Sequence, residues 1–350
     1  MFASADREWP EVLARVGHDI YHTPAYHTIP GFGRQGEAYA FCYREDERTF
    51  LWPYLLSPIQ DGFNDVTSVY GYSGPVSTPG SAFIERAWAA LLDHWKMQRV
   101  VSAFTRFHPL LGNQGLLAGL RDGSGTLAEN GSRAAGSTVS IDLSRPSEEQ
   151  VRSYQKVHRQ EIRKVRAMGF TTEEDPDWRH ADDFVALYGD TMARRNSRND
   201  YLIDRDWVAM FRKTLGDHAH LFVTKWNGTV AAALIAIEYR PYLHAHLTGI
   251  NREMMMHSPL KVLLDDIREW GTRRGLQAFH LGGGVGGKAD SLFEFKRKFS
   301  SLTHEFHTGA WILDQNRYQD FEAEHRRHHQ LQGVDIGDPE FFPIYRYQPS

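Results

Sequence analysis

The sequence is poor in cysteine and in long apolar runs, and each of these absences excludes a class of protein. Cys42 is the only cysteine among 350 residues, so an internal disulfide is excluded and a reducing cytoplasm is expected. No apolar stretch approaches the roughly 20 residues that a membrane-spanning helix needs. The opening residues MFASADREWPEVL lack the basic start and apolar run of a secretory signal.

An excess of one charge is also missing. The formal net charge is −4, which gives the whole protein no general attraction for a polyanion, so any nucleic-acid contact must come from a local patch. Hydrophobic residues make up 41% and aromatic residues 13% of the chain, and this composition excludes a disordered protein. The length exceeds one ordinary domain of roughly 100–200 residues, so we expect two domains.

Two distant segments share one order of predicted elements. In each, an antiparallel hairpin is followed by another strand, a helix and a last strand. The helices begin at Ser81 and Ser258 and the last strands near Val100 and Gln277, so both pairs are displaced by 177 positions. The repetition indicates a duplicated α/β unit.

A Gly/Ser-rich stretch over residues 123–137 separates the two copies and predicts a domain boundary there. We therefore predict a first domain over 1–136 and a second over 137–310. The aromatic tail over 311–350 is expected to pack back on the first domain.

The segment His280–Phe299, HLGGGVGGKADSLFEFKRKF, places a glycine-rich turn before a lysine-bearing helix. Gly282, Gly287 and Lys288 satisfy the phosphate-loop pattern G-x-x-x-x-G-K. Ala289 argues against that interpretation, because it lacks the hydroxyl that would bind Mg²⁺. Two interpretations remain, a turn whose glycines let the backbone approach a ligand closely and a mobile connector.

A predicted helix over about 148–168 carries basic residues spaced by 4, 3, 4 and 3, which places them on one helical face. These residues are Arg152, Lys156, Arg159, Arg163 and Arg166. One interpretation is an anion-binding surface, since clustered Arg and Lys attract phosphate groups. The other is an ordinary solvated helix face.

The sequence LHAHLTG places His244 and His246 two apart on a predicted strand, so both should point to one face. They could act as a catalytic base and the group that orients it, as metal ligands, or as buried hydrogen-bonded histidines. No third ligand follows at a convincing spacing, and we predict no metal.

The first copy has four candidates for substrate binding near predicted strand ends, where α/β sheets bind ligands. They are Tyr70, Tyr72, Arg106 and His108. Core packing explains the tyrosines equally well.

No G-x-S-x-G elbow or Ser-His-Asp arrangement is present, so covalent catalysis is not favoured. Direct displacement needs two substrates held together and a cation for the developing negative charge. The candidate cations are Lys288, Lys296 and Lys298.

In chain order, DVTSVYGYSGPV, HRQEIRKVRAMGF, LYGDTMARRNSRNDY, LHAHLTG and HLGGGVGGKADSLFEFKRKFS resemble the Fem (FemABX-like) family of aminoacyl-tRNA-dependent transferases. The resemblance covers most of the chain and is most specific where Phe295 and Lys296 follow the glycine-rich segment, with Phe299 behind them. It implies an α/β fold of two tandem GNAT-like domains with mixed sheets flanked by helices.

The resemblance also implies roles for individual residues. Lys296 would neutralise charge at the reacting ester or on a substrate phosphate, beside Phe295, while Arg194 and Tyr201 would help to hold the acceptor. The donor would be aminoacyl-tRNA, with no metal or redox cofactor. The acceptor would be peptide-like or nucleotide-linked, as in cell-wall precursors or peptide natural products.

The chain departs from the family pattern in two respects. It has no sustained heptad segment that could form the coiled-coil arm of some members. The family's N-terminal lysine for a nucleotide-linked acceptor has no clear counterpart, since that region offers only Arg34.

Ordinary GNAT enzymes grip the pyrophosphate of CoA with a Q/R-x-x-G-x-G/A turn before a helix. The corresponding segment here, NREMMMHSP, keeps Arg252 but has Met255 and His257 in place of the two glycines, which hinders close approach of the backbone. This favours aminoacyl-tRNA as donor. The alternatives are a CoA-dependent N-acyltransferase acting on an amino sugar or small molecule, and a non-catalytic ligand-binding module.

Overall fold

The structure, a computed structural model, describes residues 1–31, 36–120, 131–194, 202–337 and 339–349. The chain forms two compact units, unit 1 (Met1–Ala134 with Phe306–Ser350) and unit 2 (Ala135–Glu305). That residues 1–136 and 137–310 are domains that fold independently stays a prediction. Among the described residues, no helix is both long and apolar enough to cross a bilayer.

The described residues form 13 β-strands and ten α-helices. The strands are β1 (Phe2–Ala3), β2 (Glu37–Glu45), β3 (Arg48–Pro58), β4 (Asn64–Thr67), β5 (Val76–Ser77), β6 (Val100–Arg106), β7 (Ser132–Asp142), β8 (Thr171–Glu174), β9 (Ala219–Trp226), β10 (Thr229–Tyr239), β11 (Tyr242–Ile250), β12 (Ala278–Gly283) and β13 (Thr303–Ile312). The helices are α1 (Glu8–Leu13), α2 (Pro24–His27), α3 (Ser81–Met97), α4 (Ser147–Ser153), α5 (Lys156–Ala167), α6 (Ala181–Arg194), α7 (Arg205–Leu215), α8 (Pro259–Arg273), α9 (Ser291–Arg297) and α10 (Gln315–Leu331).

The sheet of unit 1 has the strand order β1-β2-β3-β4-β6-β13, with β5 beside β3. Its pairs are antiparallel except β4 with β6, which are parallel because α3 carries the chain back between them. The predicted apolar stripe of α3 is confirmed, since Phe83, Ala87, Leu91 and Trp95 are fully buried. Trp52 on β3 contacts this stripe, with its ring 5.6 Å from that of Trp95.

The C-terminal tail contacts the strands of unit 1. The Tyr345 hydroxyl lies 2.7 Å from Ser102 Oγ on β6. The Arg346 guanidinium donates from Nε to Asp65 Oδ2 on β4 at 2.9 Å. These contacts attach the C-terminal tail to the sheet of unit 1.

The sheet of unit 2 repeats this topology with the order β7-β12-β11-β10-β9-β8. Among the described strands of unit 2, only β11 and β12 pair in parallel, and α8 lies between them in the chain. The run β9-β10-β11-β12-β7 therefore corresponds to β2-β3-β4-β6-β13 in both order and direction. The predicted duplication is confirmed.

Helix α8 covers the apolar face of unit 2. Of its predicted stripe, Leu263, Leu264 and Ile267 are buried, and the half-buried Leu260 packs against the same core.

The expectation of one continuous helix over 148–168 is wrong, because α4 ends at Ser153 and α5 begins at Lys156. The two intervening residues are extended and make tertiary contacts instead of helical ones. The Tyr154 hydroxyl donates to Asp265 at 2.9 Å, and the Gln155 N–H donates to the Lys298 carbonyl at 2.9 Å. Burial of the Tyr154 ring and these hydrogen bonds replace the helical ladder there.

Two buried histidines in unit 1 predict an acid-sensitive fold. His22 and His27 are 0% and 4% exposed, and within the described part of the chain the Nε2 atom of each has no hydrogen-bond partner. Burial lowers the pKa of His22 to about 3 and that of His27 to about 4. The unfolded chain therefore takes up protons as the pH falls below about 6.5, while the folded chain does not.

Stability is thus expected to be complete above about pH 6.5 and to fall as the pH decreases toward 4. Each histidine should contribute a loss of about 1–2 kcal/mol by pH 5, at 1.36 kcal/mol per pKa unit. The His27→Gln variant should lose less stability than wild type between pH 7.5 and pH 5 in thermal melts. Parallel curves of Tm against pH for the two proteins would contradict this account.

Candidate functional site

The parallel pairing of β11 and β12 in unit 2 is short and ends at a pair of histidines. It covers three positions, the last being His244 opposite His280. Beyond them β11 continues beside β10 as far as Ile250, whereas β12 continues beside β7, where Gly283 faces Thr138. The neighbouring strands β11 and β12 thus separate from each other toward their carboxyl ends. This is the position where α/β sheets bind ligands.

The two histidines form a buried pair. His244 and His280 are 1% and 2% exposed, and their Nδ1 atoms lie 3.4 Å apart with the rings nearly perpendicular. A hydrogen bond between two ring nitrogens needs one donor and one acceptor, so the pair shares one proton across this contact. Sequence reasoning missed His280, although it begins the glycine-rich segment.

His246 has a different environment from His244, although both were predicted as one pair. The register between β10 and β11 skips His246, which forms a β-bulge. Its ring stacks on Phe211 of α7 at 5.4 Å. Burial, and then the neighbouring His244, lower the pKa of His246 to about 3, so it is neutral and a weak base at physiological pH.

The glycine-rich end of β12 is shaped to receive Lys296. Gly282 has φ +76°, and a Cβ at this position would lie 3.3 Å from Lys296 Nζ, so a side chain would be strained and would crowd the ammonium. Lys296 projects from α9 and donates from Nζ to the Gly283 carbonyl oxygen at 2.6 Å. The ammonium is therefore fixed at the carboxyl end of β12.

Asp290 holds the glycine-rich loop and α9 together. Its carboxylate accepts the N–H groups of Val285 and Phe293, each at 2.9 Å, and the second bond caps the N-terminus of α9. Burial opposes ionisation, but the backbone N–H groups and the nearby Lys296 hold the pKa of Asp290 below its usual value. One carboxylate thus fixes the helix on which Lys296 lies.

The neighbours of Lys296 differ from it in environment. Phe295 packs on His158 and Phe299, with both ring distances at 5.5 Å, so it supports α9 from the core side. Lys288 and Lys298 are exposed. Of the three lysines suggested by the sequence, only Lys296 is half-buried at the end of β12.

Arg194 joins α6 to the end of β11. Its NH2 group donates to the Ile250 carbonyl at 3.1 Å and to Thr191 Oγ1 at 3.0 Å, and its Nε lies 3.1 Å from Asp190 Oδ2. Tyr201 and Arg34 lie outside the described residues.

The candidates in unit 1 surround a buried Asp–His pair. His108 Nε2 lies 2.6 Å from Asp19 Oδ2, and both side chains are fully buried. The Leu111 N–H points at His108 Nδ1 at 3.3 Å, which places the ring proton on Nε2, directed at Asp19. Sequence reasoning missed Asp19, which stands in a segment rich in histidine and tyrosine.

The tyrosines of unit 1 pack around this pair. The Tyr72 ring lies edge-on to those of Tyr21 and His108, each at 5.5 Å, and burial raises the pKa of Tyr72. The Tyr70 carbonyl accepts the Tyr26 hydroxyl at 2.9 Å. Tyr21 and Tyr26 were not signalled by any motif.

Arg106 lies at the end of β6, with its guanidinium carbon 5.5 Å from the centre of the Phe104 ring. This contact and the packing of Tyr72 on His108 place Arg106, Tyr72 and His108 near the carboxyl end of β6.

The structure brings together three of the five predicted basic residues. Arg159, Arg163 and Arg166 line a cavity of about 260 Å³ between α5 and α8, together with Arg268. Two of the five do not line it. Lys156 is the first residue of α5, and Arg152 on α4 lies 3.4 Å from Glu148. Arg268 carried no sequence signal because it belongs to a different helix.

In the turn between β11 and α8, backbone N–H groups form hydrogen bonds with acceptors of the turn itself. The N–H of Glu253 donates to Asn251 Oδ1 at 3.0 Å, and those of Met254 and Ser258 donate to carbonyls within the turn. The helix then begins at Pro259, which has no N–H. Few amides therefore point outward at the place where GNAT enzymes hold a pyrophosphate.

Comparison with known proteins supports the fold. Residues 152–297 match the family model described as Acetyltransferase (GNAT) domain. No curated protein matches the sequence.

Several solved structures are similar to this chain. FemX has a TM-score of 0.59 at 13% identity, covering 81% of this chain and 89% of its own. L-PGS from Bacillus licheniformis has a TM-score of 0.54 at 14% identity, covering 91% and 94%. A conserved protein of unknown function from Bacteroides thetaiotaomicron VPI-5482 has a TM-score of 0.55 at 11% identity, covering 89% and 98%.

At these identities the similarity concerns the fold. Together with the duplicated topology, it confirms the predicted α/β fold of two tandem GNAT-like domains and the predicted likeness to Fem-type proteins. The GNAT fold and the family model support an acyl-transferring enzyme.

The cap of α9 gives a test of the site. Asp290→Ala should lower the free energy of unfolding by about 1 kcal/mol through loss of the N-cap. It should also reduce acyl transfer, because α9 carries Lys296. Asp314→Ala is the matched control, since Asp314 caps α10 through the Arg317 N–H at 3.0 Å, and it should lower stability without lowering transfer. Equal transfer rates for the two variants would argue against the view that acyl transfer depends on where α9 is held.

Proposed function

We propose that the protein is an aminoacyltransferase that moves an amino acid from the 3′ ester of an aminoacyl-tRNA to the amine of a peptide-like acceptor. The amine attacks the ester carbonyl, an amide bond forms, and tRNA leaves with a hydroxyl at its 3′ end. The observation that carries the proposal is the fixed ammonium of Lys296, where β11 and β12 stop pairing. The reaction needs no metal or redox cofactor.

In this proposal Lys296 stabilises the negative charge that develops on the attacked carbonyl oxygen. The Gly283 carbonyl fixes the position of the ammonium without neutralising it. A positive charge held in place before the reaction requires little reorganisation as the oxyanion forms, and such electrostatic stabilisation is usually the largest catalytic effect.

The attacking amine must also lose a proton. His246 is a weak base because its pKa is lowered to about 3. His244 is the better candidate, since its contact with His280 gives an orienting partner 3.4 Å away. We therefore assign His244 as base and His280 as its positioning residue.

The choice of tRNA over CoA is supported by the turn between β11 and α8. Its amides are used within the turn, and Met254, Met255 and Met256 occupy the segment where CoA-binding turns have glycines. The resemblance to Fem proteins, now supported at the level of the fold, favours an aminoacyl donor and a peptide-like acceptor such as a wall precursor or peptide natural product.

Replacing Lys296 tests the chemical role. Lys296→Met should lower kcat for amide formation from charged tRNA by roughly 10²–10³, the typical cost of removing an oxyanion-stabilising donor. Lys288→Met is the matched control, because Lys288 lies on the same segment but is exposed, and it should stay within a few-fold of wild type. If Lys296→Met also stayed within a few-fold, the assignment would be wrong.

The donor is tested separately by offering charged tRNA or acyl-CoA thioesters with a panel of peptide acceptors. We expect turnover only with charged tRNA, and ribonuclease should abolish it. Turnover of CoA thioesters that survives ribonuclease would identify a CoA-dependent acyltransferase. Saturable ligand binding with every donor left intact would instead identify a non-catalytic module.

A further inference from the structure

We propose that the cavity between α5 and α8 of unit 2 binds one phosphodiester of an RNA backbone, through Arg159 and Arg163. This proposal deepens the proposed function and rests on it, because tRNA is the RNA that an aminoacyl donor would supply. It adds a phosphate contact that is separate from the Lys296 site.

The size of the cavity limits its ligand. Its volume of about 260 Å³ lies below the roughly 300–1,000 Å³ of pockets that enclose whole small molecules or cofactors. It suits a phosphate group with its ester oxygens, while the rest of the polymer stays outside. A bound CoA or complete nucleotide is not expected here.

Arg268 forms a fixed wall of the cavity rather than a ligand-binding group. It is 3% exposed, and its NH1 group donates to Ser147 Oγ and Gln150 Oε1, each at 2.9 Å. Its Nε and NH2 groups donate to Asp265 and Glu269 at 3.1 and 3.0 Å. Four polar groups therefore share this buried cation and make the wall rigid.

The two carboxylates of the cavity are neutralised by their neighbours. Asp265 accepts the Tyr154 hydroxyl and Arg268 on Oδ1, and its Oδ2 lies 2.9 Å from Arg166 NH2. Glu269 accepts the Ser147 hydroxyl at 2.5 Å as well as Arg268. Both acids serve to hold arginines in position, which reduces their repulsion of an anion.

Arg159 and Arg163 remain as the surplus positive charge. In the part of the chain that the structure describes, no carboxylate lies within ion-pair distance of either side chain. Arg159 NH1 is oriented by the carbonyls of Arg152 and Tyr154, each at 2.7 Å, and Arg163 follows one turn later on the exposed side of α5. Two guanidinium groups four residues apart present forked donors that match phosphate oxygens.

An RNA phosphate fits this surface better than a lipid headgroup. A protein that docks on a membrane needs exposed apolar side chains to insert beside its basic residues. The apolar residues of the cavity, Val151, Tyr154 and Ile162, are buried or half-buried. The chain carries a net charge of −4, so contact with RNA must come from a local surplus of this kind.

The test measures binding of deacylated tRNA to the full chain over a series of salt concentrations. Arg163→Gln should weaken binding roughly tenfold, as expected for a lost charged hydrogen bond. It should also reduce the slope of log K against log salt by about 0.7–0.9, the value of one phosphate contact. The matched control is Arg152→Gln, which removes the same charge from α4 outside the cavity and should change neither quantity.

Equal slopes for wild type and Arg163→Gln would overturn the phosphate proposal while leaving tRNA as the donor. Failure of wild type to bind tRNA at all would refute the donor as well, so the two failures are distinguishable. Two further probes identify another ligand. If the substitution weakens binding of phosphatidylglycerol vesicles or of inorganic phosphate but leaves tRNA binding unchanged, the cavity does not bind RNA.

Discussion

The hydrogen bond from Lys296 Nζ to the Gly283 carbonyl is the interaction on which the proposed site depends. It joins the only parallel strand pair of the described part of unit 2 to the helix that follows, at the position where that pairing stops. Without it the ammonium would be one more mobile lysine on a short helix. With it, a positive charge has a defined place at the carboxyl end of β12 before any substrate binds.

Several weaker contacts hold α9, and with it the Lys296 ammonium, in this position. Asp290 caps α9 and closes the glycine-rich loop, and Phe295 and Phe299 hold the other side of the helix against His158. The extended residues between α4 and α5 also take part, since the Gln155 N–H binds the Lys298 carbonyl. The same break in the helix places Tyr154 against Asp265 at the wall of the arginine cavity, so the two sites of unit 2 share one structural element.

The sequence predicted the repeated topology because that information is local. Apolar stripes and turn residues repeat along the chain, and α3 begins and ends where its periodicity indicates. It failed where a tertiary contact overrides a local pattern. The basic spacing over 148–168 suits one helix, but burial of Tyr154 and two hydrogen bonds to distant residues favour a break.

In the candidate site, too, residues that belong to a local motif were predicted and residues defined by tertiary contacts were not. The glycine-rich motif pointed to Lys296. His280, Asp19 and Arg268 were missed, because the contacts that define their roles are made with residues distant in sequence. Residue type and spacing can suggest a charge or a base. They cannot show which distant side chain orients it.

The central claim, that Lys296 acts on the chemical step, is tested most directly by the single-turnover rate of ester loss from prebound aminoacyl-tRNA in the presence of acceptor. The account predicts that Lys296→Met slows this step by roughly 10²–10³ and leaves the affinity for tRNA unchanged. An unchanged rate, or a defect confined to tRNA affinity, would contradict it.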